Sequence, residues 1–528
     1  RVKLVSGEVT GVQTGHISDE DYAAGWRLSC STKPAGDITV LVPDIASAYQ
    51  SRMKTADLSS GEEIAIFNQL QQDVQAAGVD FTNDFVQAVL TLDEPTLDDT
   101  MPDTERLARF AQDAFDGCTE VRLTYHTVKK LAKTLREANF KVQITGTLTD
   151  GVLTIMDVSE KEDAPLYGCA IDIGTTTVTG VLMDLKTGTL TAKASAGNGQ
   201  IRYGADVINR IIEQGKPGGR KKLQDAILKE TLVPLMQTLC KDAKLPPARI
   251  VRLCVAGNTT MNHLFVGVDA DPVRMEPYIP AFFHWDGLRV HDLGLPAHPD
   301  AAIRLAPNIG SYVGGDITAG TFASMLWDRD ELSLFIDLGT NGEIADGNAR
   351  DGFLTSSTAC GPALEGGNIE CGMRGSEGAI DHADITPDGE LRFHVLGEGE
   401  AKGLCGSGII DMTAALIRCG LVDMTGRLLP RGEFAAEHPD SPLLDRLEPV
   451  GEYNNAFFLT RGEHPVYLSQ EDIRQIQLAK SSICAGCLTL CHERGIEPEE
   501  LDSLILAGAF GNYIDVDNAL YIGLLPAA

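Results

Sequence analysis

Two runs of this chain share one build. The first is Ala170-Ile171-Asp172-Ile173-Gly174-Thr175-Thr176-Thr177-Val178-Thr179-Gly180, and the second is Phe335-Ile336-Asp337-Leu338-Gly339-Thr340-Asn341-Gly342-Glu343-Ile344-Ala345. Each is an apolar strand ending on Asp, one apolar residue, Gly-Thr and a second strand, and Asp337 follows Asp172 by 165 residues. The Asp ends a strand of buried character, so its carboxylate points into a cleft at the strand's carboxyl edge. Gly lets the backbone turn tightly and approach a ligand. The Thr hydroxyls and amide N–H groups that follow can donate to phosphate oxygens. A carboxylate beside phosphates is repulsive unless a cation lies between them, and Mg²⁺, with oxygen ligands and retained waters, is the natural bridge. One such turn reads equally as a plain β-hairpin; two at matched positions read as two lobes of the same build facing each other. A third run, Leu504-Ile505-Leu506-Ala507-Gly508-Ala509-Phe510-Gly511-Asn512-Tyr513, is a buried strand entering a Gly-x-x-Gly turn 171 residues after Asp337. Gly508 and Gly511 there can bring backbone against a base or ribose, or serve helix packing.

These residues need elements to position them. From about Gly168, strand-like runs alternate with helical runs, the pattern of an α/β architecture. Residues 76–165 read as a small mixed domain. Phe85 to Leu90 is strand-like, Thr104 to Phe115 and Val128 to Ala138 have helical spacing, and Lys141 to Thr147 alternates as a strand. Asp150-Gly151 is a good hairpin turn between two strands. Residues 45–75, polar and rich in Ser, Ala and Gln, read as a linker containing a helix. Residues 1–44 hold strand-like pieces at Arg1-Val2-Lys3-Leu4-Val5 and Gly36-Asp37-Ile38-Thr39-Val40-Leu41-Val42-Pro43. No Met starts them, and they read as a chain beginning inside a domain.

Composition narrows the partners. The chain has 528 residues, enough for three or four domains, and its 44 basic against 75 acidic side chains give a net charge of −31. Such a surface repels nucleic-acid phosphates and anionic membranes. There is no run of about 18 apolar residues and no signal peptide, so the expectation is a soluble, cytoplasmic protein that uses neither nucleic acid nor membrane. The 12 cysteines form no compact even framework and read as reduced thiols or metal ligands.

The order Asp-Gly-Thr, Asp-Gly-Thr, Gly-x-x-Gly resembles the phosphate-1, phosphate-2 and adenosine motifs of actin, the sugar kinases and their relatives, over roughly residues 166–528. The resemblance implies a two-lobed ATPase with ATP·Mg²⁺ in the cleft and closure about a hinge. It places Asp172 and Asp337 near Mg²⁺, directly or through water. It gives phosphate contacts to Gly174, Thr175, Thr176, Gly339, Thr340 and Asn341, and adenosine to Gly508 and Gly511. Asp316 joins Asp172 and Asp337 as a candidate catalytic carboxylate. The intervening runs narrow the family. Val255-Ala256-Gly257-Asn258-Thr259-Thr260-Met261-Asn262-His263, Gly314-Gly315-Asp316, Cys360-Gly361-Pro362-Ala363-Leu364-Glu365-Gly366-Gly367, Cys371-Gly372-Met373-Arg374 and Cys405-Gly406-Ser407-Gly408 are similar to the ATP-dependent reductive activators of corrinoid proteins.

In those activators a [2Fe–2S] ferredoxin domain of the β-grasp type comes first. Plant-type clusters use three closely spaced cysteines and a distant fourth. Trp26-Arg27-Leu28-Ser29-Cys30 resembles the stretch carrying the distant ligand; the clustered three are absent from this sequence, and trimming of a longer chain is the expected reason. The implied job is returning a corrinoid from Co(II) to Co(I), with a low-potential electron donor feeding the cluster. The implied partner is a corrinoid protein of a methyltransferase system, and a homodimer is left open. Two rivals share the ATPase motifs: a small-molecule kinase, with Asp316 or Glu365 as base, and an activator of a 2-hydroxyacyl-CoA dehydratase. The latter binds a [4Fe–4S] cluster between subunits, which makes Cys484, Cys487 and Cys491 on one face of a helix from Gln470 to Arg494 candidate ligands. The plainer reading makes them core residues beside Ile476, Ile483 and Leu488. Cys360, Cys371 and Cys405 read as packing residues, and His263 as a hydrogen-bonding residue at a helix start.

Overall fold

The computed structural model describes residues 2–11, 22–27, 32–41, 61–81, 84–160, 165–450, 454–462, 464–511 and 513–526. Cys30, the expected cluster ligand, and Asn512 lie outside the described residues. At the front, Val2–Ser6 pairs antiparallel with both Trp26–Arg27 and Thr39–Leu41. A helix, Gly61–Ala76, falls inside the segment read as a linker.

The small mixed domain is a four-stranded sheet in the spatial order Phe85–Thr91, Lys141–Thr149, Val152–Ser159, Glu120–Leu123. Helices Asp103–Ala114 and Tyr125–Glu137 bury Leu107, Ala111, Leu131 and Leu135 against Val142, Ile144, Leu153 and Ile155 of the sheet. Asp150 and Gly151 both take positive φ, 51° and 76°, as a two-residue hairpin of the favoured twist requires. This domain is tied to the next part of the chain by Arg252, whose guanidinium donates to both Asp84 oxygens at 2.6 and 2.9 Å, and by His126 against Asp300 at 2.8 Å.

The remainder of the chain builds two lobes on the same sheet plan. In the first, Tyr167–Ile173 pairs antiparallel with Thr177–Asp184, which pairs with Leu190–Gly197. On its other side it pairs in parallel with Ile250–Gly257, and Ala302–Leu305 completes the edge. In the second, Ser333–Leu338, Gly342–Asn348 and Gly352–Thr358 form the same antiparallel run, and Ser503–Ala507 is the parallel neighbour of Ser333–Leu338. The registers match. Asp172 lies beside Ala256 and Asp337 beside Ala507. Each lobe has its own apolar core, around Ile171, Leu232, Leu253 and Phe265 in the first and around Ile336, Ile410, Phe457 and Ile483 in the second.

The cysteine-bearing helix runs over Gln470–Arg494, opened by a capping box between Ser469 and Asp472 and closed by Gly495. Ile483, Cys487, Leu490 and Cys491 form its buried stripe, while Cys484 is half-buried. Leu488 departs from the expectation: it is 44% exposed, because it stands one residue, about 100° of helix, past the Cys487 face. At the helix end Arg494 donates to Asp346 Oδ2 at 2.7 Å and to the Asp346 carbonyl at 2.7 Å, pinning the helix to strand Gly342–Asn348. The Asp346 side chain is fully buried, so removing its partner strands a charge. Arg494→Met is expected to destabilise the second lobe by about 3 kcal/mol, and pairing it with Asp346→Asn to recover part of that. Urea melts of the two single variants and the double variant measure this coupling.

Candidate functional site

The two Asp-Gly-Thr turns face each other across one cleft of about 640 Å³, within the range of small-molecule sites. Asp172, Gly174, Thr175 and Thr176 line one wall, and Asp337, Gly339, Thr340 and Asn341 the other. The turns touch: Thr176 Oγ1 and Thr340 Oγ1 are 3.4 Å apart. Asp316 joins the wall from the first turn of helix Gly315–Ala323.

Each turn is braced from behind. Asn198 donates from its side chain to the Gly174 carbonyl and from its backbone to the Thr176 carbonyl, both at 2.8 Å. Arg210, wholly buried in helix Val207–Gln214, donates to the Thr175 carbonyl and, at 2.9 Å, to that of Gly204. Burial pushes its pKa down to about 10, so a positive charge remains behind the first turn at neutral pH. Asn258 caps helix Thr259–Val266 and reaches the Thr175 hydroxyl at 3.2 Å. On the second turn, Thr340 donates to Glu365 at 3.0 Å, and the Cys360 thiol lies 3.5 Å from the Thr340 carbonyl.

Matching registers make the third run a partner of a segment in the first lobe. Gly257 follows Ala256, and Gly508 follows Ala507. A Cβ at Gly257 would stand 2.9 Å from the Ile173 carbonyl oxygen, and one at Gly508 2.4 Å from that of Leu338. Both glycines therefore pass flush against the residue after the strand-ending Asp. Gly508, at φ +90°, also leaves no room beside the Asp337 carboxylate. The expected Gly-x-x-Gly turn is a one-turn helix, Gly508–Gly511. Only its first glycine reaches the cleft wall; Gly511 is buried with its Cβ direction toward Leu506.

Seven carboxyl side chains, those of Asp172, Asp316, Asp337, Glu343, Glu365, Glu377 and Asp381, line the cleft against one guanidinium, Arg374. Burial, and then repulsion from Asp316 and Asp337, pushes Asp172 up to about 7, although its carboxyl opens onto the water of the cleft. Burial and Asp316 likewise push Asp337 up to about 7. Asp316 rises less, to about 6, because the amides of Gly314, Asp316 and Ile317 donate to it. Among the described residues no three His, Cys, Asp or Glu side chains are grouped so as to chelate a metal directly. Carboxylates spread over two facing walls suit Mg²⁺ that keeps part of its water shell.

Sequence reasoning did not single out Glu343, Arg374, Asn198, Arg210 or Asn258. Glu343 carried a usable signal, since the first hairpin has no acid at the matching place; Asn198 and Arg210 act on a distant turn and carried none. His263 proves structural: it is buried, its Nδ1 meets the Thr259 carbonyl at 2.7 Å, its Nε2 accepts from Ala281 N, and it stacks on Phe282. Cys360 and Cys405 are buried and Cys371 half-buried, as packing residues would be.

A carboxyl whose folded pKa lies above its unfolded value costs the fold nothing in acid, where both states are protonated. The cost grows as pH rises past about 4 and levels off above about 7. Asp337→Asn is therefore expected to raise the melting temperature at about pH 8 without divalent cation, by several degrees, and to change it little near pH 4. Calorimetry at both pH values checks this, and a gain independent of pH contradicts it.

Three family models match in succession: the RACo linker region over residues 74–164, the RACo middle region over 167–329, and the C-terminal ASKHA domain of RACo over 331–528. A corrinoid activation enzyme, RamQ, of Eubacterium limosum is 40% identical over 375 residues, 70% of this chain and 62% of its own length. The [Co(II) methylated amine-specific corrinoid protein] reductase of Methanosarcina barkeri is 25% identical over 68% of this chain and 66% of its own length. The chain thus spans just under two thirds of either curated relative. A solved structure, a reductive activator for corrinoid, iron–sulfur protein, superposes over 100% of this chain and 82% of its own, with a TM-score of 0.72 and 32% identity. By fold, by the succession of its domains and by this identity, the chain belongs to the RACo family of corrinoid-protein reductive activators.

Proposed function

We propose that this chain performs the ATP-dependent reductive activation of a corrinoid protein, returning an inactive Co(II) corrinoid to Co(I). The observation that carries this reading is the pair of Asp-Gly-Thr turns held 3.4 Å apart across one acidic cleft, in a chain whose relatives are named for corrinoid activation. The amides and hydroxyls of Gly174, Thr175, Thr176, Gly339, Thr340 and Asn341 would hold the phosphates, with Gly508 at the adenosine. Asp172 and Asp337 would hold Mg²⁺, directly or through its waters, with Asp316 a third catalytic carboxylate on the cleft wall; the ion supplies charge neutralisation between phosphates and carboxylates. A nucleotide without a cation would face seven carboxyls and one arginine, so binding is expected to need Mg²⁺.

Nucleotide can drive an uphill electron transfer only by binding the open and closed cleft with different affinity. The Thr176–Thr340 contact supplies such a difference, because phosphate oxygens entering between the turns would replace one weak hydroxyl contact with several donors from both lobes. The electron would come from a low-potential donor through a [2Fe–2S] cluster, toward which Cys30 is the one ligand the family resemblance assigns in this sequence. The corrinoid protein served would belong to a methyltransferase system.

Two measurements test this reading. Asp337→Ala is expected to abolish Mg²⁺-dependent ATP hydrolysis and leave the circular dichroism spectrum unchanged; wild-type turnover in that variant removes Asp337 from the site. Linkage makes partner and nucleotide affinities reciprocal. A Co(II) corrinoid protein, the form in need of an electron, is expected to stimulate hydrolysis as well, and its Co(I) form is not. If no corrinoid protein alters the rate while a small hydroxylated metabolite becomes phosphorylated, the chain is a kinase.

A further inference from the structure

The two hairpins match at Asp, Gly and Thr but differ at one cross-strand position. Asp172 lies opposite Thr179, whereas Asp337 lies opposite Glu343. Thr179 spends its hydroxyl on Ser195 of the neighbouring strand, 3.0 Å away, a wholly structural use of that register. Glu343 is a different case. It is 8% exposed, yet it forms part of the cleft wall. Its carboxyl accepts from Ser357 Oγ at 3.3 Å and from the Asn341 side chain. Asp316 and Asp337 face it electrostatically and the Cys360 thiol lies within its field, and none of these is a cation. A buried carboxyl held among other carboxyls costs stability that a threonine, as in the first hairpin, would not. Packing alone does not account for it.

Four of the other six cleft carboxyls are committed at or beside the two turns. Asp172 and Asp337 end the central strands beside the phosphate turns. Three backbone amides donate to Asp316, and Glu365 takes the Thr340 hydroxyl. Glu343 has about four acceptor positions and two donors, which leaves acceptor capacity facing the cleft.

Resting on the nucleotide reading above, we propose that Glu343 is a catalytic residue of the hydrolysis step, a carboxyl oxygen of its side chain accepting a hydrogen bond from the attacking water and orienting it toward the γ-phosphorus. The water oxygen forms its bond to that phosphorus as the bond to the β,γ-bridging oxygen breaks. The electron pair of the broken bond leaves with ADP, and both hydrogens of the water stay on the released phosphate as H₂PO₄⁻, which gives up a proton to solvent. Ser357 and Asn341 act as positioning residues that hold the carboxylate.

Glu343→Gln is the direct test. A glutamine gives its oxygen to Ser357 and Asn341 and turns an N–H group toward the cleft, so it fills the same space but cannot accept from water. Its kcat for ATP hydrolysis is expected to fall about 100-fold, with Mg²⁺·ATP affinity by calorimetry within about threefold of wild type. Nucleotide recovered from the variant after brief incubation should be ATP where wild type yields ADP. Ser357→Ala, a milder change, should lower kcat about threefold to tenfold at unchanged affinity. Wild-type kcat in Glu343→Gln overturns the proposal. So does a tenfold loss of Mg²⁺·ATP affinity with kcat retained, which would make Glu343 part of the cation's surroundings. Should Glu343→Gln fail to fold, an unchanged kcat in Ser357→Ala overturns it instead. A wild-type protein that neither binds nor hydrolyses ATP defeats the nucleotide reading itself, a result distinct from the others.

Discussion

Negative charge gathered in one cleft sets the terms for the rest of the molecule. The carboxyls of Asp316, Asp337 and Glu343 are hemmed in by protein and that of Asp172 opens onto the cleft, and each sits above the ordinary carboxylate range, with lost hydration as the first cause. Such a group can be satisfied by a proton or by a cation. At neutral pH the first is only half available to Asp172 and Asp337, whose values lie near 7. A divalent cation does the same work for two carboxylates at once and brings phosphate with it. Four carboxyls gathered in one cleft are therefore costly on their own, and a bound cation would lower that cost. A fold that keeps these residues despite their cost must hold them rigidly, or the walls would spread to let water in.

The rigidity comes from register. A strand that ends on Asp between an antiparallel hairpin partner and a parallel neighbour has both backbone edges paired, so the carboxyl has little freedom to drift. The same arrangement built twice brings two such ends face to face. The loops beyond are fixed by contacts that cross the first lobe: Asn198 and Arg210 hold carbonyls of the first turn, and Asn258 holds a hydroxyl. Carbonyls tied back in this way leave the amides and hydroxyls of the turn to the cleft, which is the polarity an anion requires.

Local chemistry is legible in the sequence; long-range bracing is not. The Asp-Gly-Thr runs, the Asp150-Gly151 hairpin and the helix that carries Cys484, Cys487 and Cys491 all depend on residues within a few positions of one another, and spacing reveals them. Arg210 braces Thr175 from 35 residues away, and nothing in its own neighbourhood marks it. Leu488 shows the limit of composition: an apolar residue next to a buried stripe reads as core, and about 100° of helical rotation puts it outside. Gly511 shows a related limit. A repeated glycine suggests two close approaches to a ligand, but only Gly508 passes beside the strand-ending Asp; the second glycine serves the packing of its own helical turn.

The links between domains add a mechanical consequence. The small mixed domain is joined to the first lobe through Asp84 with Arg252 and His126 with Asp300, and Gln71 of the preceding helix donates to the Gly188 carbonyl at 3.2 Å. Arg252 stands in the strand whose end carries Gly257 and Asn258, so the tie reaches one wall of the cleft along a single paired strand. Strands resist stretching, and paired strands resist slipping by one residue because that would turn every side chain to the wrong face. A displacement of the first lobe on closure would carry the small domain with it rather than be absorbed between them. The second lobe holds its own core and meets the first in two ways: through helix Gly315–Ala323, whose Ile317 packs with Phe335 and Ala345 while Gly314 abuts Asn258, and through the weak Thr176–Thr340 contact across the cleft. The apolar packing of that helix holds the lobes together on one side and the hydroxyl contact yields on the other, so the cleft is where a bound nucleotide would have to act to move one half against the other.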